Sequence, residues 1–329
     1  MLLSDNEENS SRKYVKCGAC GAPIFISKDL APLETQPCKD CGHPVMKPLF
    51  LHQIELRQVI ASGGMGTVYR SWDHALEREV AVKLMKREFV DDPESVEAFS
   101  REARACSPIN HTNIVSIYSF DEHNGEKFIV MEVTDNGSLE SRIAEHGRIE
   151  EMKALDIGVS MCLALKAALR HDLLHLDIKP DNILFNADDE AKLMDWGIAH
   201  KTTDGKMSFE GDDEGVMGTP EFIAPERVQR IGESFLSDMY SLSATLYNAL
   251  SGHPPFRGED PTAIAMAHIN EPVTPLYEWH DDITETTSDV LIKAMAKDPA
   301  LRYESYDDFR MALEMARGEF FRAQFMTEN

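Results

Sequence analysis

The residues with the most chemistry in them lie close together. HLDIKPDNIL, His175 to Leu184, puts an aspartate, a lysine and an asparagine on one short stretch. DWG follows at Asp195–Gly197, its aspartate 18 residues beyond Asp177. Transfer of a phosphoryl group asks for a side chain that orients or deprotonates the attacking hydroxyl and for positive charge on the phosphate. It asks for little covalent chemistry from the protein. Asp177 suits the first role and Lys179 the second. Asn182 and Asp195 offer oxygens to magnesium, a hard cation that takes oxygen ligands.

A short polar loop keeps its geometry only if regular elements hold its ends. From about His52 the chain reads as β-rich. IELRQVI and TVYRSW are separated by a glycine-rich turn, and REVAVKLM follows with Val80 and Val82 on one face and Ala81 and Lys83 on the other. Asp92 as N-cap, Pro93 at the first helical position and Glu94 in the first turn predict a helix next. Strands are expected near Val115–Phe120 and Lys127–Glu132. Beyond the polar linker DNGS at Asp135–Ser138 the pattern turns helical, in ALDIGVSMCLALKAALRHDLL, in SDMYSLSATLYNALSG and in two amphipathic helices over Thr286–Ala316. A strand-rich front joined to a helical back is a two-lobed α+β arrangement.

Composition narrows the function classes. The chain has 329 residues, 43% of them hydrophobic, enough for a substantial core. Its net charge of −24 argues against nucleic acid as the main partner, since phosphate backbones are bound by clustered Lys and Arg. Solubility alone accounts for such a charge, and a preference for basic substrates is consistent with it. No stretch approaches the roughly 20 apolar residues of a membrane helix. MLLSDNEENSSRK lacks the apolar core of a signal peptide, so a cytoplasmic location is expected.

In a reducing compartment six cysteines point to metal or burial. CGAC at Cys17–Cys20 and CKDC at Cys38–Cys41 are 17 residues apart, inside the C-x₂-C-x₁₅₋₂₀-C-x₂-C window of zinc sites. Two such pairs complete a tetrahedron and leave no open position, which makes the site structural. Residues 1–16 read as a polar tail and 17–47 as a small zinc-ribbon-like module for protein docking or intramolecular regulation. Residues 1–47 carry six Lys/Arg against six Asp/Glu, so this module has no basic patch for nucleic acid.

Taken together, VAVK, HLDIKPDN, DWG and GTPEFIAPE (Gly218–Glu226) resemble a protein kinase, and KPDN points to its Ser/Thr branch. GGMG and GTPEF suggest the bacterial type. The resemblance covers about 54–315, with an N-lobe over 54–132, a hinge over 132–138, a C-lobe over 139–315 and a tail over 316–329. It implies ATP and Mg²⁺, with protein hydroxyls as substrates. It assigns the nucleotide phosphates to Ile60, Ala61, Ser62, Gly63, Gly64, Met65, Gly66, Thr67 and Val68, where backbone amides approach an anion unobstructed by side chains. Lys83 would pair with those phosphates and with Glu102, which sits at the edge of the apolar face of its helix. Met131, Glu132 and Val133 would meet adenine, with Ala81, Val68 and Leu184 sandwiching the ring. Thr219 would hydrogen-bond near Asp177 and Lys179, Asp238 would hold the catalytic loop's backbone, and Arg302 would pair with Glu226.

The pattern breaks in three places. Ala61 stands at the first glycine, Trp196 replaces the phenylalanine of DFG, and Leu176 replaces the arginine that grips an activation-loop phosphate in many kinases. Leucine binds no phosphate, so an on-switch other than phosphorylation of Thr202, Thr203 or Ser208 is expected. The acidic run Glu210–Glu214 reads as a solvated loop. Two other readings compete: a pseudokinase scaffold, and a ribbon-centred adaptor that the kinase regulates. Retention of Lys83, Glu102, Asp177, Asn182 and Asp195 favours the enzyme.

Overall fold

The computed structural model describes residues 14–196, 200–201, 206–207 and 219–327. Gly197, Thr202, Thr203, Ser208, the acidic run Glu210–Glu214 and Gly218 lie outside them, as does most of the expected tail 1–16. The chain forms two compact units, one drawn from residues up to Val96 plus Tyr118–Val133, the other from Glu97–Ile117 plus the chain from Thr134 onward.

The first unit holds two structures. Strands β1 (Tyr14–Lys16) and β2 (Pro23–Phe25) form one antiparallel hairpin, and β3 (Thr35–Pro37) and β4 (Pro44–Met46) another. Tyr14–Lys16 therefore belongs to the cysteine module, because Val15 pairs with Ile24. Cys17, Ile24, Cys38 and Val45 make its small buried cluster. The second structure is a six-stranded antiparallel sheet of β5 (Leu49–Leu51), β6 (Ile54–Ser62), β7 (Gly66–Asp73), β8 (Arg78–Met85), β9 (Ile117–His123) and β10 (Glu126–Met131), in the order β5-β6-β7-β8-β10-β9. Leu51, Leu56, Tyr69, Val80, Val82, Phe128 and Val130 pack its buried face. A cleft of about 1080 Å³ opens between the module and β6–β8.

Helix α1 (Pro93–Cys106) starts where Asp92 accepts from the Ser95 amide at 3.1 Å. The second unit is helical: α2 (Leu139–His146), α3 (Glu151–Leu169), α4 (Pro225–Val228), α5 (Phe235–Ser251), α6 (Pro261–Asn270), α7 (Glu285–Ala294) and α8 (Tyr306–Thr327). Short strand pairs decorate it: β11 (Leu173–Leu174) with β14 (His200–Lys201), β12 (Ile183–Phe185) with β13 (Ala191–Leu193), and β15 (Lys206–Met207) with β16 (Glu233–Ser234). Residues of α5 from Ser237 to Ser251 are all buried, so this helix is the unit's central post. Ser234 caps it in a reciprocal box with Ser237, and Gly252 ends it in the left-handed region.

Two more boundaries differ from expectation. Residues Glu97–Ile117, expected with the strand-rich lobe, group with the helices. Cys106, Ile109 and Ile114 join the large helical core, and Ile114 bridges in parallel to Leu193. The final helix continues past Ala316, where a tail is expected, to Thr327. No proline interrupts it, and the lone Gly318 costs only about 1 kcal/mol. Among the described residues no helix is long and apolar enough to cross a membrane.

Candidate active site

The loop between β11 and β12 carries Asp177, Lys179 and Asn182. Its backbone is anchored first. Asp238, wholly buried near the start of α5, accepts from the amide of His175 at 2.8 Å and from that of Leu176 at 2.7 Å. Burial pushes its carboxyl above the usual range, against the pull of these two amides and of Arg227. His175 ties the loop to the strand leading into Asp195. Its Nε2 donates to the Met194 carbonyl at 2.9 Å and its Nδ1 accepts from the Asp177 amide at 3.2 Å. One donating and one accepting nitrogen is the pattern of neutral imidazole protonated on Nε2.

On that frame the side chains converge. Lys179 Nζ lies 2.6 Å from Asp177 Oδ2 and donates to Thr219 Oγ1 at 3.0 Å, while Thr219 Oγ1 donates to Asp177 Oδ1 at 3.1 Å. Burial raises the Asp177 carboxyl, but the Lys179 ammonium, with Thr219, outweighs it and holds the group below the usual carboxylate range. Asp177 is thus an ionised acceptor at neutral pH, fit to take a bond from a hydroxyl.

Asn182 Nδ2 donates to the Asp177 carbonyl at 2.8 Å, with Asp177 Oδ2 at 3.3 Å. With Nδ2 committed, the amide's other atom is Oδ1, an oxygen of the kind magnesium takes. The Met194 amide donates to the Asn182 carbonyl at 3.0 Å, so Asp195 begins one residue from a fixed point on the loop. Asp195 has φ +65°, a left-handed conformation rare outside glycine. Trp196 is buried against the His175 ring at 4.6 Å, and its Nε1–H has no hydrogen-bond partner among the described residues.

Below the loop, Arg302 Nη1 and Nη2 each lie 2.8 Å from a Glu226 oxygen, in a buried bidentate pair. Leu184, half-buried on β12, pairs with Lys192. Glu102 is buried on α1.

In the first unit the glycine turn joins β6 to β7, with Ala61 opposite Val68 and Ser62 opposite Thr67. The Gly63 amide donates to the Gly66 carbonyl at 2.9 Å, and the Lys86 amide to the Met65 carbonyl at 3.0 Å. A Cβ on Gly66 would sit 2.9 Å from the Leu84 carbonyl oxygen, whereas one on Gly64 meets nothing within 4 Å. The fold itself needs the smallness of Gly66. At Gly64 the free space faces outward. Ile60 and Ala61 are exposed on β6. Lys83 pairs with Val68 on β7 and Ile129 on β10, on the face of Ala81, and Ala81 pairs with the buried Met131. Glu132 and Val133 follow, half-buried, at the end of the unit.

The four module cysteines also meet. Cys17 and Cys41 sulfurs are 3.6 Å apart, those of Cys20 and Cys38 3.7 Å, and all four lie within 4.8 Å of one another. Four thiolates about 2.3 Å from one zinc have edges of about 3.8 Å, so the set fits that ion and is too open for disulfides. The Cys20 amide draws the Cys17 thiol down to about 6. At Cys41 the His43 amide acts the same way, but the sulfurs of Cys20, Cys17 and Cys38 together with desolvation outweigh it and the thiol rises to about 12. One thiolate opposes the next, a conflict that a divalent cation removes.

Sequence reasoning gave no role to His175 or Arg227. Each sits inside or beside a quoted motif, but no single-sequence pattern reveals that a side chain is buried against a backbone carbonyl.

Residues 54–316 match the family described as Protein kinase domain. The chain belongs to that family. It is similar to the serine/threonine-protein kinase PknA of Mycobacterium tuberculosis, 38% identical over 267 residues, which is 80% of this chain and 61% of the relative. It is similar also to PknB of Mycolicibacterium smegmatis, 35% identical over 263 residues, 79% of this chain and 42% of the relative. PrkC of Bacillus subtilis is 32% identical over 262 residues, 80% of this chain and 40% of the relative. The chain therefore spans roughly half the length of these relatives.

Proposed function

We propose that this chain is an active Ser/Thr protein kinase that transfers the γ-phosphate of ATP to protein hydroxyls. The observation that carries this reading is the Asp177–Lys179–Thr219 triangle: a carboxylate kept ionised, with a cation 2.6 Å away. Asp177 takes the bond from the incoming hydroxyl and orients its oxygen. Lys179 neutralises charge that grows on the transferring phosphate. The glycine-rich turn from Ile60 to Val68 and the Lys83 ammonium are assigned to the nucleotide phosphates, Met131 to Val133 with Ala81, Val68 and Leu184 to adenine, and Glu102 to orienting Lys83. Asn182 Oδ1 and the Asp195 carboxylate would hold Mg²⁺, which supplies charge neutralisation between phosphates when bound.

Cys17, Cys20, Cys38 and Cys41 are assigned to one structural Zn²⁺, supported by their sulfur spacing. The module is read as a surface for a protein partner. Lys16, Arg57 and Arg70 share its cleft with Glu55 and Glu79, a mixed lining unsuited to nucleic acid.

The test is incubation with labelled ATP, Mg²⁺ and a generic basic protein, followed by phosphoamino-acid analysis. Label on serine or threonine that disappears in Asp177→Asn supports the reading. ATP binding without transfer under any metal would favour the scaffold alternative suggested by Ala61 and Leu176. Replacing Thr202, Thr203 and Ser208 together with Ala should leave most activity, and near-total loss would restore a phosphate switch.

A further inference from the structure

Leu176 replaces the family's phosphate-gripping arginine, and its own side chain is buried in the core. Its backbone is held at both ends. The amide donates to Asp238 Oδ1 at 2.7 Å, and the carbonyl accepts from Arg227 Nη1. Arg227 is 5% exposed, and its Nε donates at 2.7 Å to Glu233, 7% exposed. Leu176 has φ +65°, a conformation costly for a branched side chain and kept only where the surroundings over-determine it.

The positions of the two partners matter. Arg227 follows Glu226 directly on α4. Glu233 lies on β16, the strand that pairs with Lys206–Met207. A chain of contacts therefore runs from β15 through Glu233 and Arg227 to the carbonyl next to Asp177. Stability alone does not explain a buried guanidinium and carboxylate here, because apolar residues of the same volume often serve as well or better. What the pair supplies is a fixed cationic donor at the peptide bond preceding the catalytic aspartate.

We infer that Arg227, held by Glu233, is a positioning residue for the catalytic loop, replacing through the backbone of Leu176 the coupling other kinases draw from an arginine side chain at that place. Both charges are part of the chain, so the coupling needs no phosphate. This inference rests on the phosphoryl-transfer reading of Asp177. Arg227 does not touch substrate. It acts through the Leu176 carbonyl on where Asp177 sits.

The test uses the full chain with Arg227→Gln, Arg227→Lys, Glu233→Gln and the Arg227→Gln/Glu233→Gln double variant, followed by steady-state kinetics and by hydrogen exchange. Arg227→Gln should lower kcat by about 10- to 100-fold, the scale of one charge-assisted hydrogen bond, with KM for ATP changed less than about twofold. Glu233→Gln should act in the same direction but less, and the double variant should be no worse than Arg227→Gln. Lysine at 227 should recover part of the loss, since it reaches one partner but lacks the fork for both. Amides over 173–185 should lose protection in Arg227→Gln while those of α8 keep theirs.

An unchanged kcat together with unchanged loop exchange would overturn the inference. Equal loss of protection in the loop, α5 and α8 would also overturn it, reducing Arg227 to a general structural role. If wild type and Asp177→Asn both fail to transfer phosphate, the kinase reading fails by itself. The exchange result then still decides whether Arg227 holds the loop.

Discussion

Arg302→Met is the perturbation whose size the structure sets most tightly. The Arg302 side chain is fully buried and the Glu226 side chain 6% exposed. Arg302 donates twice to Glu226 at 2.8 Å, to the Ala296 carbonyl at 2.9 Å and to the Leu236 carbonyl at 2.8 Å, with its guanidinium 4.9 Å from the Tyr240 ring centre. Methionine keeps much of the stem's volume and removes every donor. Glu226 is left in the core with the bond from Ser237 Oγ at 2.8 Å. Breaking a buried pair from one side costs about 3–5 kcal/mol. Two carbonyls deprived of a donor place the total near the top of that range, about 5 kcal/mol. For a unit of this size that is a fall of roughly 10–20 °C in Tm. Urea titration followed by helical circular dichroism, on the single variants and on Glu226→Gln/Arg302→Met, gives both the cost and the coupling. The double variant should be more stable than the sum of the singles predicts by about 2 kcal/mol, because no charge is left stranded. A loss below about 1 kcal/mol for Arg302→Met, or strict additivity, would refute the description of the pair as buried and mutually dependent.

Three further outcomes are expected. The lowered pKa keeps Asp177 a carboxylate, so if it orients the hydroxyl as proposed, kcat/KM should stay flat through neutral pH and fall only below the ordinary aspartate value of about 3.9. Its contribution to stability is likewise present above that unfolded value and lost as pH falls through the folded one. Lys179→Met removes the main lowering partner and leaves burial, so the acid limb should move to higher pH, and an unmoved limb would contradict the assignment. Gly66→Ala places a Cβ 2.9 Å from the Leu84 carbonyl oxygen and should cost about 1–3 kcal/mol in thermal melts, while Gly64→Ala, in open space, should melt like wild type. Metal analysis should find one zinc per chain, released in Cys38→Ser with loss of protection in β1–β4; protein free of metal with that region intact would remove zinc from the account.

Much of the site can be read from sequence because its chemistry is local. Asp177, Lys179 and Asn182 lie within six residues, and their mutual bonds follow from that loop once its ends are anchored. The strand-rich front and helical back follow from periodicity that changes near Asp135. Other features depend on packing that no local pattern encodes. Tyr14–Lys16 looks like a polar tail until Val15 finds Ile24 across a hairpin. Residues Glu97–Ile117 look like part of the strand-rich lobe until Ile109 and Ile114 enter the helical core. The helix past Ala316 lacks a breaker, so weak amphipathicity hides its length. Arg227 is the clearest case. A buried arginine bonded to a backbone carbonyl reads in sequence as an ordinary charged residue.

The most direct measurement is the initial rate of γ-phosphate transfer from labelled ATP to a basic protein, compared between wild type and Asp177→Asn, with ATP affinity measured in parallel. Transfer to serine or threonine is expected from wild type, with loss by about 10³-fold or more in the variant and ATP affinity nearly equal in the two. Equal rates in both, or tight ATP binding with no transfer by either, would contradict the kinase reading.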